Sequence, residues 1–189
     1  MNRPVGRPAR GNGVILPGAI LSAALEMLDT LGPEAFTMRA LATRLRINPM
    51  TIYYYFGDRD GLIAAMAERV YQEVTAPPDD DPLTRLAGLL QAYHSQVLQH
   101  PGLTLLIFSR PKVFPKQARR ITADITQLLH RSGLSSAGVR RWVGILVDFT
   151  HGAALAMATE EQPAIERNTA AKNYAEALAE LLNALKNRQ

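Results

Sequence analysis

From Pro17 onward apolar residues return every three or four positions, the spacing of one helical face: Ile20, Leu21, Ala24, Leu25, Leu28 and Leu31 recur until Gly32-Pro33 stops the pattern. Pro17 suits a first helical turn, where the missing N–H has no partner to lose. Thr37 is an N-cap for a short second helix with Leu41, Ala42 and Leu45 facing inward, and Asn48-Pro49 caps and opens a third near 49–56. Gly57-Asp58 predicts the exit of that helix and the cap of a fourth, whose apolar stripe is Leu62, Ile63, Met66 and Val70. Beyond a break at 75–82, helical patterns run over roughly 83–99, 101–109, 115–132, 136–159 and 166–186, separated by His100-Pro101, Pro111 to Pro115, Gly133 and Pro163. The short β-branched alternation of strands is absent, and so is self-similarity at solenoid periods. The expected fold class is all-α.

The segment Thr75-Ala76-Pro77-Pro78-Asp79-Asp80-Asp81-Pro82, with its prolines and acids, is the clearest boundary in the chain. Residues 1–14 combine Gly, Pro and Arg without apolar periodicity and read as a flexible basic arm. The expected organisation is that arm, a three-helix unit with its fourth helix over 15–75, and a larger helical domain over 76–189.

Composition narrows the function. The chain has 189 residues, 47% hydrophobic and 20% charged, which is ordinary for a globular protein and excludes a long multidomain enzyme. It has no cysteine, which removes disulfides, thiolate nucleophiles and cysteine-held metals and fits a reducing compartment. No apolar stretch reaches the ~20 residues of a membrane span, and the N-terminus lacks the apolar core of a signal peptide, so a cytoplasmic location without membrane contact is expected. The net charge of +4 says little alone, but it is unevenly placed: Arg3, Arg7, Arg10, Arg39, Arg44, Arg46 and Arg59 face five acids within residues 1–60.

Within 38–52 the small residue Ala42 stands ten positions before the apolar Ile52. A helix-turn-helix needs a small side chain where its second helix crosses the first closely, and an apolar anchor on the second. Leu41, Leu45 and Ile47 cover the rest of the inward face, leaving Met50, Thr51, Tyr54 and Tyr55 outward. On patterning alone the segment also reads as a plain helical hairpin whose tyrosines finish a core.

The full string Phe-Thr-Met-Arg-Ala-Leu-Ala-Thr-Arg-Leu-Arg-Ile-Asn-Pro-Met-Thr-Ile-Tyr-Tyr-Tyr-Phe-Gly-Asp-Arg-Asp-Gly-Leu, residues 36–62, resembles the signature of the TetR family of transcriptional regulators. It carries the Thr-x-Arg-x-Leu-Ala opening and the Thr-Ile-Tyr-x-x-Phe recognition helix. It departs from the family in Arg46, where the interhelical turn usually has glycine, in Arg59, where lysine is usual, and in Tyr55, where histidine is frequent. A left-handed backbone at Arg46 would cost a non-glycine residue about 1 kcal/mol or more.

The resemblance implies that Pro49, Met50, Thr51 and Tyr54 face base edges in the major groove, that Arg39 contacts base or phosphate, and that Thr37, Tyr53, Tyr55 and Arg59 clamp phosphates. The Gly6-Arg7-Pro8 arm reads either as a minor-groove finger or as a solubilising tail. One short helix touches few base pairs, so a two-fold dimer on a palindromic double-stranded operator is expected. The small residues Gly144, Gly152, Ala153, Ala154 and Ala156 over 136–159, and the stripe Tyr174, Leu178, Leu181, Leu182 and Leu185 over 166–186, suit a dimer bundle.

Polar and aromatic residues interrupting apolar faces supply candidates for a small-molecule effector site: Tyr93, His94, Phe108, Trp142, Asp148 and His151. Asp148 and His151, three apart, can equally pair with each other. Zinc-protease, nucleophile-elbow, phosphate-loop and dinucleotide motifs are absent and the four histidines are scattered, so no catalysis, metal or cofactor is expected. The expected activity is that of a repressor released from its operator by the effector. The alternatives are a ligand-dependent activator or co-repressor-type regulator, or a small-molecule binding module that does not read DNA.

Overall fold

The structure, a computed structural model, describes residues 15–110, 113–158 and 164–187; the basic arm at 1–14, Pro111 and Pro163 lie outside the described residues. Among the described residues there are nine helices and no strand: α1 Pro17–Ala35, α2 Met38–Leu45, α3 Pro49–Phe56, α4 Arg59–Tyr71, α5 Pro82–Gln99, α6 Pro101–Phe108, α7 Lys116–Arg131, α8 Ser136–Ala158 and α9 Ala164–Lys186. None of them is long and apolar enough to cross a membrane.

Local chemistry sets most boundaries. The Asp58 carboxylate accepts the Gly61 N–H at 2.7 Å and the Asp81 carboxylate accepts the Thr84 N–H at 2.7 Å, each satisfying a donor that the first helical turn leaves open. Prolines occupy the first turns of α1, α3, α5 and α6. The break expected at Gly32-Pro33 is present as a kink: Gly32 takes φ 75° and ψ 173°, and a last turn then runs on to Ala35.

The elements are built around one continuous buried cluster reaching from Ile20 to Leu185. α5 packs on α7, α8 and α9, while α2 and α3 pack on each other and on α1 and α4. The first four helices join the rest through α1 against α6 and through α4 against α5, α6 and α7. At the first of these contacts Gly102 leaves space that Leu28 fills: a Cβ there would stand 3.1 Å from Leu28 Cγ.

The apolar stripe of α9 has a different use from the one expected. Tyr174, Leu178, Leu182 and Leu185 are buried within this single chain, in the same core as α5 and α8. A stripe of period 3.6 records that a face is covered, and here the chain's own helices cover it.

Candidate functional site

The turn between α2 and α3 is built entirely by local hydrogen bonds. The Thr37 hydroxyl oxygen accepts the Ala40 N–H at 3.1 Å and starts α2. The helix closes with Arg46 N–H donating to Thr43 O at 3.1 Å and Ile47 N–H donating to Ala42 O at 3.0 Å, the bond pair of a Schellman motif. Arg46 holds the left-handed position of that motif, at φ 54° and ψ 41°. The arginine therefore sits in the conformation that favours glycine, and the turn keeps its form. Asn48 Oδ1 then accepts the Met50 N–H at 2.9 Å, with Pro49 as the first helical residue of α3.

Ile52 anchors α3 as its one buried residue, and the opposite face stands in solvent. Tyr54 is 83% exposed and Met50 66%, values that set them apart from the aromatic and apolar residues of the core. Pro49, Tyr53 and Arg39 are exposed and Thr51 is half-buried. Tyr55 is half-buried against the core, with its ring edge-on to Tyr54 at 5.2 Å between centroids.

Arg59 is held inside the fold. Its guanidinium donates to Phe36 O at 2.9 Å and lies 5.8 Å from the Phe36 ring centroid, while Nε is buried without a partner. Burial, with Arg110 nearby, lowers its pKa. Both Arg59 and Thr37, expected as phosphate clamps, thus already have structural partners, Thr37 through the oxygen that caps α2. Sequence reading missed the junction behind them: a Cβ at Gly61 would stand 2.0 Å from Phe56 O, so only glycine lets the first turn of α4 lie against the end of α3.

Farther along, α4 to α8 enclose a cavity of about 230 Å³ lined by Tyr71, Tyr93, Thr104, Ile107, Phe108, Phe114, Ala118, Ile121, Thr122, Val147, Asp148 and His151. Tyr93 Oη and His151 Nε2 are hydrogen-bonded at 2.6 Å, and Tyr71 Oη and Thr104 Oγ1 at 3.1 Å. Burial raises the pKa of both tyrosines. Burial lowers that of His151, against a smaller upward pull from Asp148, so the walls are neutral at pH 7 apart from the Asp148 carboxylate. Phe108 and Phe114 stand half-exposed at the cavity.

The six expected effector residues do not form one site. Tyr93, Phe108, Asp148 and His151 meet around this cavity. His94, next to Tyr93 but about 100° further round α5, faces instead a groove of about 500 Å³ beside α8 and α9. There its ring stacks on Tyr174 at 3.9 Å between centroids, and burial lowers its pKa to about 4. Trp142 is half-buried against the core and belongs to neither cavity. Asp148 and His151 are not bonded to each other, since His151 pairs with Tyr93. Tyr71, Thr104, Phe114 and Thr122 complete the cavity without having been singled out in the sequence.

Two polar contacts join this cavity's α6 wall to the first four helices. His100 Nδ1 lies 2.9 Å from Asp29 Oδ2 at one end, and Arg110 donates to Asp60 Oδ1 at 2.5 Å at the other. Among the described residues no group of three or more acidic or histidine side chains is placed to hold a metal.

Residues 20–66 match the family described as bacterial regulatory proteins, tetR family. An HTH-type transcriptional regulator of Saccharopolyspora erythraea is 27% identical over 116 residues, 60% of this chain and about half (49%) of that protein's length. The tetracycline repressor protein class C of Escherichia coli is 28% identical over 154 residues, 79% of this chain and 69% of its own. Among solved structures, Mycobacterium smegmatis BioQ superimposes with a TM-score of 0.76 at 18% identity, covering 93% of this chain and 99% of that one. A BioQ with its natural double-stranded DNA operator gives 0.66 at 20% identity, covering 87% and 98%. At these identities the structural likeness is one of fold.

Proposed function

Because this chain belongs to the TetR family of bacterial regulatory proteins, we propose that it is a cytoplasmic transcriptional repressor that binds a palindromic operator as a homodimer and releases it when a small molecule enters the α4–α8 cavity. The observation that carries the reading is the face of α3. Met50 and Tyr54 project from a helix fixed by Ile52, two large side chains held in solvent on the face opposite that anchor. A helix of this size fits the major groove, where methionine meets thymine methyl groups and a tyrosine hydroxyl donates or accepts at base edges. Pro49, Thr51 and Arg39 extend the reading face, and Tyr53 and Tyr55 take the flanking phosphates. Residues 15–75 act as the DNA-reading unit and 76–189 as the sensing and dimerising unit.

Dimerisation falls to α8 and α9. With the α9 stripe occupied internally, the free surface on α8 carries Gly144, Ile145 and Gly152, all exposed. A Cβ built at Gly144 or Gly152 meets nothing within 4 Å, so a partner helix has room to approach. That a BioQ has been solved with its natural operator supports DNA binding as the use of this fold.

Selection of bound fragments from random-sequence DNA near physiological salt tests the proposal, with Tyr54→Ala run alongside. One palindromic motif is expected, bound about tenfold or more weakly by the variant, in line with ~1–3 kcal/mol for a good base contact. A folded dimer that enriches no motif at any salt concentration overturns it, because phosphate attraction alone gives salt-sensitive binding without a specificity ratio.

A further inference from the structure

The charge of the α4–α8 cavity specifies what it accepts. Its walls are aromatic and aliphatic, and its tyrosine, threonine and histidine polar atoms are largely committed. Tyr93 is paired with His151 and Tyr71 with Thr104, while the Thr122 hydroxyl donates to Ala118 O at 3.0 Å. Asp148 differs. Its carboxylate stands exposed at the edge of the cavity, and among the described residues it has no ion pair and no hydrogen bond. No arginine or lysine among the described residues lines the cavity with it. Arg119, next to Ala118 of the lining, donates to Phe114 O at 2.8 Å with its guanidinium 5.4 Å from the Phe114 ring centroid.

A single uncompensated carboxylate in such walls discriminates by charge. An anion is repelled, and a neutral guest gains nothing from the exposed carboxylate. A cation is attracted to it and gains from aromatic faces at the same time. The volume of about 230 Å³ exceeds the roughly 150 Å³ of a cavity that takes benzene, which suits a guest of one ring and a small substituent.

We propose that the effector of this protein is a small lipophilic organic cation, an aromatic amidine, amine or quaternary ammonium, whose charge is held by Asp148 and whose ring lies against Tyr93, Phe108 and Phe114. This rests on the cavity being the effector site, and the test separates the two statements.

Benzamidinium, benzamide and benzoate share one shape and differ in charge. Their affinities for the full-length protein and for Asp148→Asn are measured by calorimetry at neutral pH, with operator binding by each protein as the check of folding. Benzamidinium is expected to bind about tenfold or more tightly than benzamide, with benzoate weakest. Asp148→Asn removes the advantage of the cation and leaves benzamide unchanged. Equal binding of the three, preference for benzoate, or a cation preference that survives Asp148→Asn overturns the charge assignment while the cavity keeps its role as a ligand site. Binding of none of them to a protein that still holds its operator overturns the cavity reading and this inference with it.

Discussion

Replacing Arg46 with glycine separates what the backbone demands at the helix-turn-helix from what the side chain contributes. At φ 54° and ψ 41° Arg46 stands in the left-handed region, and its side chain makes no hydrogen bond or ion pair among the described residues. A non-glycine residue there costs roughly 1–2 kcal/mol. Glycine returns about 0.5–1 kcal/mol of that through the extra freedom it gives the unfolded chain. The net gain expected for Arg46→Gly is therefore about 0.5–1 kcal/mol, or roughly 1–4 °C in Tm for a chain of this length. Urea unfolding followed by circular dichroism measures it. Arg46→Ala is the control, because alanine keeps the left-handed penalty and loses only the charge, so its stability should stay within about 0.3 kcal/mol of the parent. Equal stabilisation of both variants would trace the effect to relieved charge repulsion and refute the backbone argument. An unstabilised glycine variant would refute it too. Operator binding gives a second axis: if Arg46 neutralises a phosphate, both variants lower the slope of log affinity against log salt by about one.

Three further outcomes are expected. His94, 3% exposed and with its pKa lowered from 6.5 to about 4, is favoured as neutral imidazole by the folded state. The unfolded chain therefore binds the extra proton between those values: stability is full above pH 6.5 and falls by about 3 kcal/mol as pH drops towards 4, and His94→Phe flattens that slope in unfolding curves taken across the range. Gly61→Ala drives a methyl group into Phe56 O and should cost about 1–3 kcal/mol in thermal unfolding, with a loss of operator affinity that Gly18→Ala, at a site with open space, does not produce. Tyr71→Phe leaves the Thr104 hydroxyl without its partner in a buried site and should destabilise by about 1–2 kcal/mol, an effect that Tyr71→Phe/Thr104→Val largely restores.

Sequence reading reached the reading head and fell short at the cavity for one physical reason, the range of the interactions involved. Thr37, Asn48 and Asp58 bond to backbone groups two or three residues away, so their meaning is local and visible in the string. Arg46 likewise declared itself by standing where a glycine is usual. The cavity is assembled from five helices, and its key pairs join Tyr71 to Thr104 and Tyr93 to His151 across long separations that no periodicity encodes. Tyr93 and His94 are neighbours in the chain, yet the turn of α5 sends them to different cavities. The stripe on α9 was visible as a stripe, but that α5 and α8 are the helices beside it is a matter of tertiary packing that the stripe does not encode.

The packing of α1 on α6, with Leu28 against Gly102 and with Asp29 and Asp60 tied to the two ends of that helix, bears on how such a protein is re-engineered. A reading head cut at the proline-rich stretch would carry Leu28 and Tyr71 into water, and one transplanted onto a foreign sensor would arrive without its mate for either of them. Chimeras exchanged at that boundary should aggregate unless α6 travels with the head. Under the proposed function, new operator preferences are better sought by rewriting Met50, Thr51 and Tyr54 in place, since Met50 and Tyr54 touch solvent and the seam lies elsewhere.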